Sequence, residues 1–308
     1  MTKSNNNLIT FLLFIPGTLW GLSFLVQEII LQTIPPLTLT MSRAILAGIP
    51  IALLLYARGG RFPSTWKGWW PYIVLGLLNN SIPFALISWG QLHIDSNLAT
   101  ILTSLMPLFT VFLAHFYAKG ERLSTHKAAG VGLGLIGILV LVGPTALGGI
   151  GVNVWAQLAI IAAALSYSIA GIYARNHLHQ QEQSRWNAIF ELMSCQYITS
   201  TITLLPITLL VDRPWELEPS QASLISLLIL GWVMTIGAVV IYYYIIDAAG
   251  ASVASTTIYL IPINGVIWGA LILNETITWQ AIVALAFILS GIALVNEVGK
   301  KKPALVGG

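Results

Sequence analysis

Ten apolar stretches, at about 8–30, 36–57, 69–91, 96–116, 127–143, 152–175, 187–211, 222–247, 251–273 and 278–297, fill nearly the whole chain. Each is long enough, or nearly so, to cross ~30 Å of hydrocarbon as a helix. The polar runs between them are brief, and none could form a soluble domain. Within the stretches apolar residues do not alternate with polar ones, as a lipid-facing barrel would require. Backbone that crosses a bilayer must therefore pair inside helices. The pattern predicts an all-α integral membrane protein with ten transmembrane helices.

The pattern also occurs twice. Residues 75–107 and 230–262 match at a constant offset of 155, with Gly76 on Gly231, Ala99 on Ala254 and Pro107 on Pro262. Past the prolines, with one residue of slippage, Gly120-Glu121-Arg122-Leu123 falls on Asn274-Glu275-Thr276-Ile277. Ten helices in two copies give five per repeat, 8–143 and 152–297. An odd number forces the second copy to cross the membrane in the opposite sense. The expectation is a pair of inverted repeats with a solute site at their interface, near mid-bilayer.

Composition agrees with a lipid environment. Hydrophobic residues make up 56% of the chain and charged residues 8%, against about 25% charged in soluble domains. The position of the charges then sets orientation. With the N-terminus inside, Lys3, Arg58, Arg61, Lys67, Lys119, Arg122, Lys127, Arg175, Arg185, Lys300, Lys301 and Lys302 face the cytoplasm. Only Arg213 lies outside, and Arg43 sits within a helix. This asymmetry predicts that both termini are cytoplasmic, and the expected location is a bacterial-type inner (plasma) membrane.

The residues Trp20-Gly21, Arg43-Ala44, Ser96-Asn97-Leu98-Ala99, Pro107 and Gly120-Glu121-Arg122-Leu123 recur in part as Ala251-Ser252-Val253-Ala254, Pro262 and Asn274-Glu275. In their order and spacing the chain resembles the drug/metabolite transporter superfamily, in its ten-helix EamA branch. The likeness covers nearly the whole chain. It implies a carrier for small metabolites such as amino acids, working in export by alternating access. It implies a small-molecule solute and membrane lipid as partners, no cofactor and no nucleic acid.

Polar residues on shared helix faces mark the expected site: Trp20 and Ser23, Asn80 and Phe84, Thr103, Tyr167, Tyr243 and Tyr259. They place the solute between helices 1, 3, 4, 6, 8 and 9. Helices 5 and 10, almost without polar residues in their middles, are expected at the periphery. Pro107 and Pro262 each remove a helix hydrogen bond, and their symmetric positions suit gating kinks.

Arg43 lies about 10 Å into the hydrocarbon at 1.5 Å per residue. Two readings stand. It binds an anionic solute group, or it braces the bundle through helix carbonyls or Glu28; the brace is favoured. Glu191 is its rough counterpart in helix 7, on the other side of the membrane, so no direct salt bridge is expected.

Glu121 and Glu275, just before helices 5 and 10, read as helix caps. His177 and His179 have no nearby Cys or further His, so no metal site is expected.

Helix 1 carries no acid between Leu8 and Gln27. The proton-exchange carboxylate of the small multidrug-resistance relatives is thus missing. No phosphate-binding glycine loop suggests ATP use. A neutral or zwitterionic solute fits these absences. Competing readings are a membrane-embedded lipid-modifying enzyme and a non-transporting scaffold. An enzyme would need His, Asp, Glu or Cys clustered at one depth, and the chain offers no such cluster.

Overall fold

The computed structural model describes residues 3–117, 124–147, 151–177 and 184–297. Lys119, Glu121, Arg122, His179 and Lys300 to Lys302 lie outside the described residues. Among the described residues the fold is all-α, with ten apolar helical spans. They are α1 (Lys3–Leu31), α2 (Pro36–Ala57), α3 (Trp66–Gly90), α4 (Ser96–Tyr117), α5 (Thr125–Leu147) and α6 (Val152–His177). After these come α7 (Arg185–Val211), α8 (Gln221–Ala249), α9 in two pieces (Ala251–Ala254 and Thr257–Leu273) and α10 (Trp279–Glu297). Large apolar side chains such as Ile202, Leu210 and Leu271 stand exposed on their outer faces. That surface suits a hydrocarbon solvent, not water.

Packing preserves the repeat. Exchanging helix n for helix n+5 maps the neighbours onto one another. α1 packs on α9 and α8, as α6 packs on α4 and α3. α3 meets α7, as α8 meets α2. The pairs α2–α7, α4–α9 and α5–α10 map onto themselves. With five helices per repeat, this is the inverted arrangement. Glycines set the close approaches. A Cβ on Gly130 would stand 2.7 Å from the Gly291 carbonyl oxygen, and one on Gly291 2.5 Å from that of Gly130. α5 and α10 therefore touch backbone to backbone, as small residues allow between helices in lipid.

Two irregularities also follow the repeat. Residues Leu77–Ser81 of α3 and Ile229–Gly237 of α8 wind as π-helix. At the offset of 155 these segments overlap. A π turn shifts the hydrogen-bond ladder by one residue and strands a carbonyl. In α8 the Thr235 hydroxyl donates to that of Leu230, at 2.7 Å.

The prolines are less alike. Pro107 falls in the first turn of Met106–Tyr117, where its missing N–H costs nothing, directly after a break at residues 104–105. Pro262 lies inside the unbroken Thr257–Leu273, and the break in α9 comes earlier, at residues 255–256.

We call the end of the bundle opposite the start of α1 distal. There, carboxylates from one repeat cap helices of the other. Asp212 accepts from the Thr38 backbone N–H at 2.7 Å and from its hydroxyl at 3.0 Å, at the start of α2. Glu275 accepts from the Ser96 N–H at 2.8 Å, the Ser96 hydroxyl at 2.6 Å and the Asn97 N–H at 2.9 Å. It caps a helix, as its position suggests, but the helix is α4 and not α10. The four unpaired N–H groups of any helix start accept such a partner from wherever the fold delivers it.

Candidate functional site

The sequence marks Trp20, Ser23, Asn80, Phe84, Thr103, Tyr167, Tyr243 and Tyr259 as one site. In the structure Phe84, Tyr167 and Tyr243 join a single cluster with Tyr197, Phe190 and Met193, where α2, α3, α6, α7 and α8 meet. The Phe84 and Tyr167 rings meet edge to face at 6.3 Å. Tyr167 also borders the larger core, which Tyr259 of α9 packs against. Trp20 of α1 lies 5.3 Å from Tyr242, whose ring is 6.1 Å from that of Tyr243. Trp20 is thus linked to the cluster through α8. Tyr244 points outward, 46% exposed, so two of the three consecutive tyrosines face inward.

The other marked residues spend their polar atoms locally. Ser23 donates to the Trp20 carbonyl at 2.6 Å, and Thr103 to that of Ala99 at 2.8 Å. Ser and Thr in apolar surroundings commonly bond back to their own helix. Asn80 is buried and donates to the Gln196 side-chain oxygen at 3.2 Å, which also accepts from Asn79 at 3.0 Å.

Arg43 packs against the cluster through Phe84 and is 6% exposed. Its Nε donates to the Thr235 hydroxyl at 2.9 Å, and its guanidinium carbon lies 4.1 Å over the Phe84 ring. Thr235 uses its proton on Leu230 and a lone pair on Arg43, so the π-helical turn presents an acceptor to the charge. Neither helix carbonyls nor Glu28 is the described partner. Glu28 lies instead at the distal end beside Glu275 and Asp95. Burial, and then the charge of Glu275, push the Asp95 carboxyl above its usual range.

No ion pair joins Arg43 to Glu191 among the described residues. Glu191 is buried in α7 and accepts from the Tyr72 hydroxyl at 3.0 Å. Packing supplies a different symmetry mate for Arg43. Gly76 closes on Thr199 as Gly231 closes on Leu46. This pairs Leu46 with Thr199, an offset of 153, and hence Arg43 with Gln196. Asn80 and Thr235 are likewise mates, at 155. The Arg43–Thr235 and Gln196–Asn80 bonds are therefore the same contact in the two repeats.

Sequence reasoning missed Gln196, Tyr197 and Thr235. A glutamine in mid-hydrocarbon was the available signal for the first. The other two are ordinary in an apolar run. Among the described residues no group of three or more His, Cys, Asp or Glu is placed to hold a metal ion.

These features can be set beside known proteins. The model of the EamA-like transporter family matches residues 7–143 and again 154–297. "Uncharacterized transporter YoaV" of Bacillus subtilis is 24% identical over 89% of this chain and 91% of its own length. A "Probable amino-acid metabolite efflux pump" of Salmonella typhimurium is 25% identical over 92% of each. The "Uncharacterized inner membrane transporter YedA" of Escherichia coli is 22% identical over 92% of this chain and 89% of its own length. One solved crystal structure superposes with a TM-score of 0.64 at 20% identity, over 96% of this chain and 99% of that one, and so shares the fold. With the family model matched in both halves of a ten-helix membrane bundle, the chain belongs to the EamA-like transporter family.

Proposed function

We propose that this transporter exports small metabolites of the amino-acid type by alternating access, through the space between its two repeats. The observation that carries the reading is an asymmetry between symmetric parts. At the distal end Ser96–Thr103 of α4 packs against α9. A Cβ on Gly265 would lie 2.5 Å from the Thr100 side chain, and one on Gly269 would lie 3.2 Å from the Ser96 hydroxyl. Glu275 ties the same end through its cap on α4. The inverted counterpart would set Ala251–Ala254 against Met106–Tyr117 at the other end. Among the described residues these two segments have no such packing. A symmetric pair of gates with one closed and the other apart is one half of an alternating cycle.

The excess of basic residues on the other side supports placing the closed end outside and both termini in the cytoplasm. The state is then inward-open, ready to load a solute from the cytoplasm. The rings of Trp20, Phe84, Tyr167, Tyr243 and Tyr259 offer faces to an apolar side chain, and the Tyr167 and Tyr243 hydroxyls are available to its polar end. Asn80 and Ser23 support the helices that carry those rings, and Thr103 stands one turn from Pro107, beside the break in α4. Two relatives bearing the name "Probable amino-acid metabolite efflux pump" support the solute class.

Proteoliposomes holding only this protein test the reading. Loaded with one unlabelled amino acid at a time, they should take up its labelled form by counterflow. Absence of exchange across the whole amino-acid panel would refute it. Accumulation of a chemically altered product instead would favour the enzyme reading.

A further inference from the structure

Arg43 is a cation held within the membrane span, yet among the described residues no carboxylate pairs with it. The ionisable groups that interact with it electrostatically are Tyr197 and Tyr167. Its Nε is satisfied by Thr235. Its two terminal nitrogens have no acceptor among the described residues, and neither is fully sealed by its surroundings. The hydroxyls of Tyr167, Tyr197 and Tyr243 likewise have no described hydrogen bond, and Tyr243 adjoins Tyr197. Unpaired donors thus gather at one place in hydrocarbon, with an aromatic floor 4.1 Å below the guanidinium. Buried donors of this kind are costly unless an acceptor completes them.

The repeat shows that the architecture does not require the charge. At the symmetric position Gln196 accepts from Asn80 and Asn79, and the contact between helices is completed by neutral amides. The second repeat makes its brace without a cation. The first places a guanidinium there, with its two-pronged end left over.

We propose that Arg43 is the anion-binding pole of the solute site, and that the solute carries a carboxylate. This rests on the transporter reading and sharpens it. With Nε occupied, the terminal nitrogens form an end-on fork that matches two carboxylate oxygens. One cation, with no second basic group beside it among the described residues, pairs with a single carboxylate group. A phosphate dianion would keep an uncompensated charge in hydrocarbon. The Tyr167 and Tyr197 hydroxyls can donate to the same oxygens, and Phe84 supports the fork from below.

The test uses the purified full-length protein in detergent, with the proteinogenic amino acids and their primary amides as probes. Thermal melting is followed against probe concentration. In the unmodified protein at least one acid should raise the melting temperature, and its amide should not. Arg43→Lys keeps the charge but loses the fork, and should weaken the apparent affinity about tenfold or more. Arg43→Gln copies the other repeat and should abolish the response. The proposal fails if an acid and its amide stabilise equally, if Arg43→Gln responds like the parent, or if no acid shifts the parent. Should Arg43→Gln not fold, the acid–amide comparison on the parent still decides. Liposome exchange separates the two claims. Equal exchange of acids and amides would leave a transporter and remove the role of Arg43. Acid-selective stabilisation without any exchange would keep that role and remove the transporter reading.

Discussion

Asp95 shows what a single residue reveals about the closed distal end. It precedes α4, makes no capping bond with its own side chain, and faces Glu275. Burial and that neighbouring charge raise its folded-state pKa above the unfolded value of about 3.9. A raised carboxyl binds more protons folded than unfolded, so its contribution is lost as pH rises through that interval. Asp95→Asn should therefore melt higher than the parent at pH 7 to 8, with the difference vanishing below about pH 4. Melting curves across this range check it, and a loss of stability at neutral pH would contradict it. At this scale the sequence was half legible. Arg43 stood out because a charge in an apolar stretch has few explanations. Its partner Thr235 lies 192 positions away, and no local pattern links the two. Glu275 read correctly as a cap, since an acid near a helix start has one obvious use. Which helix it caps depended on folding.

At the scale of elements, the limits of the helices were largely legible. The span expected at 36–57 is α2 (Pro36–Ala57), and the expected 187–211 is α7 (Arg185–Val211). Lipid imposes a minimum length and an apolar content, and both are written in composition. The π-helical turns were not legible, because residues such as Leu77, Leu78 and Ile229 suit an α-helix equally well. Their bulges arise where neighbours pack. The glycine seam between α5 and α10 offers a direct test. Gly130→Val would drive a side chain into the backbone of Gly291 and should cost about 1–3 kcal/mol or more. Gly132→Val on the same helix meets nothing within 4 Å and should stay within about 0.5 kcal/mol. Denaturation of the two variants side by side checks this, and equal losses would contradict the packing.

For the whole molecule, the repeat and its inversion were written in the chain, because two copies of five helices leave no other sense of crossing. The conformational state was not. An inverted repeat encodes two related closures, and the sequence alone favours neither end. The cap of Glu275 on α4 and the approach of Thr100 to Gly265 close the distal end in the structure, and they support the proposed inward-open state. Alternating access requires that closure to be one half of a cycle. The most direct measurement is counterflow by a protein locked at this end. In a Cys195→Ser background, Asn97→Cys and Thr276→Cys put one thiol on each residue of a close contact, where the Asn97 amide donates to the Thr276 backbone carbonyl at 3.5 Å. Joining them should stop solute exchange in liposomes, and reduction of the bond should restore it. Exchange by the cross-linked protein at the uncross-linked rate would contradict alternating access through this gate.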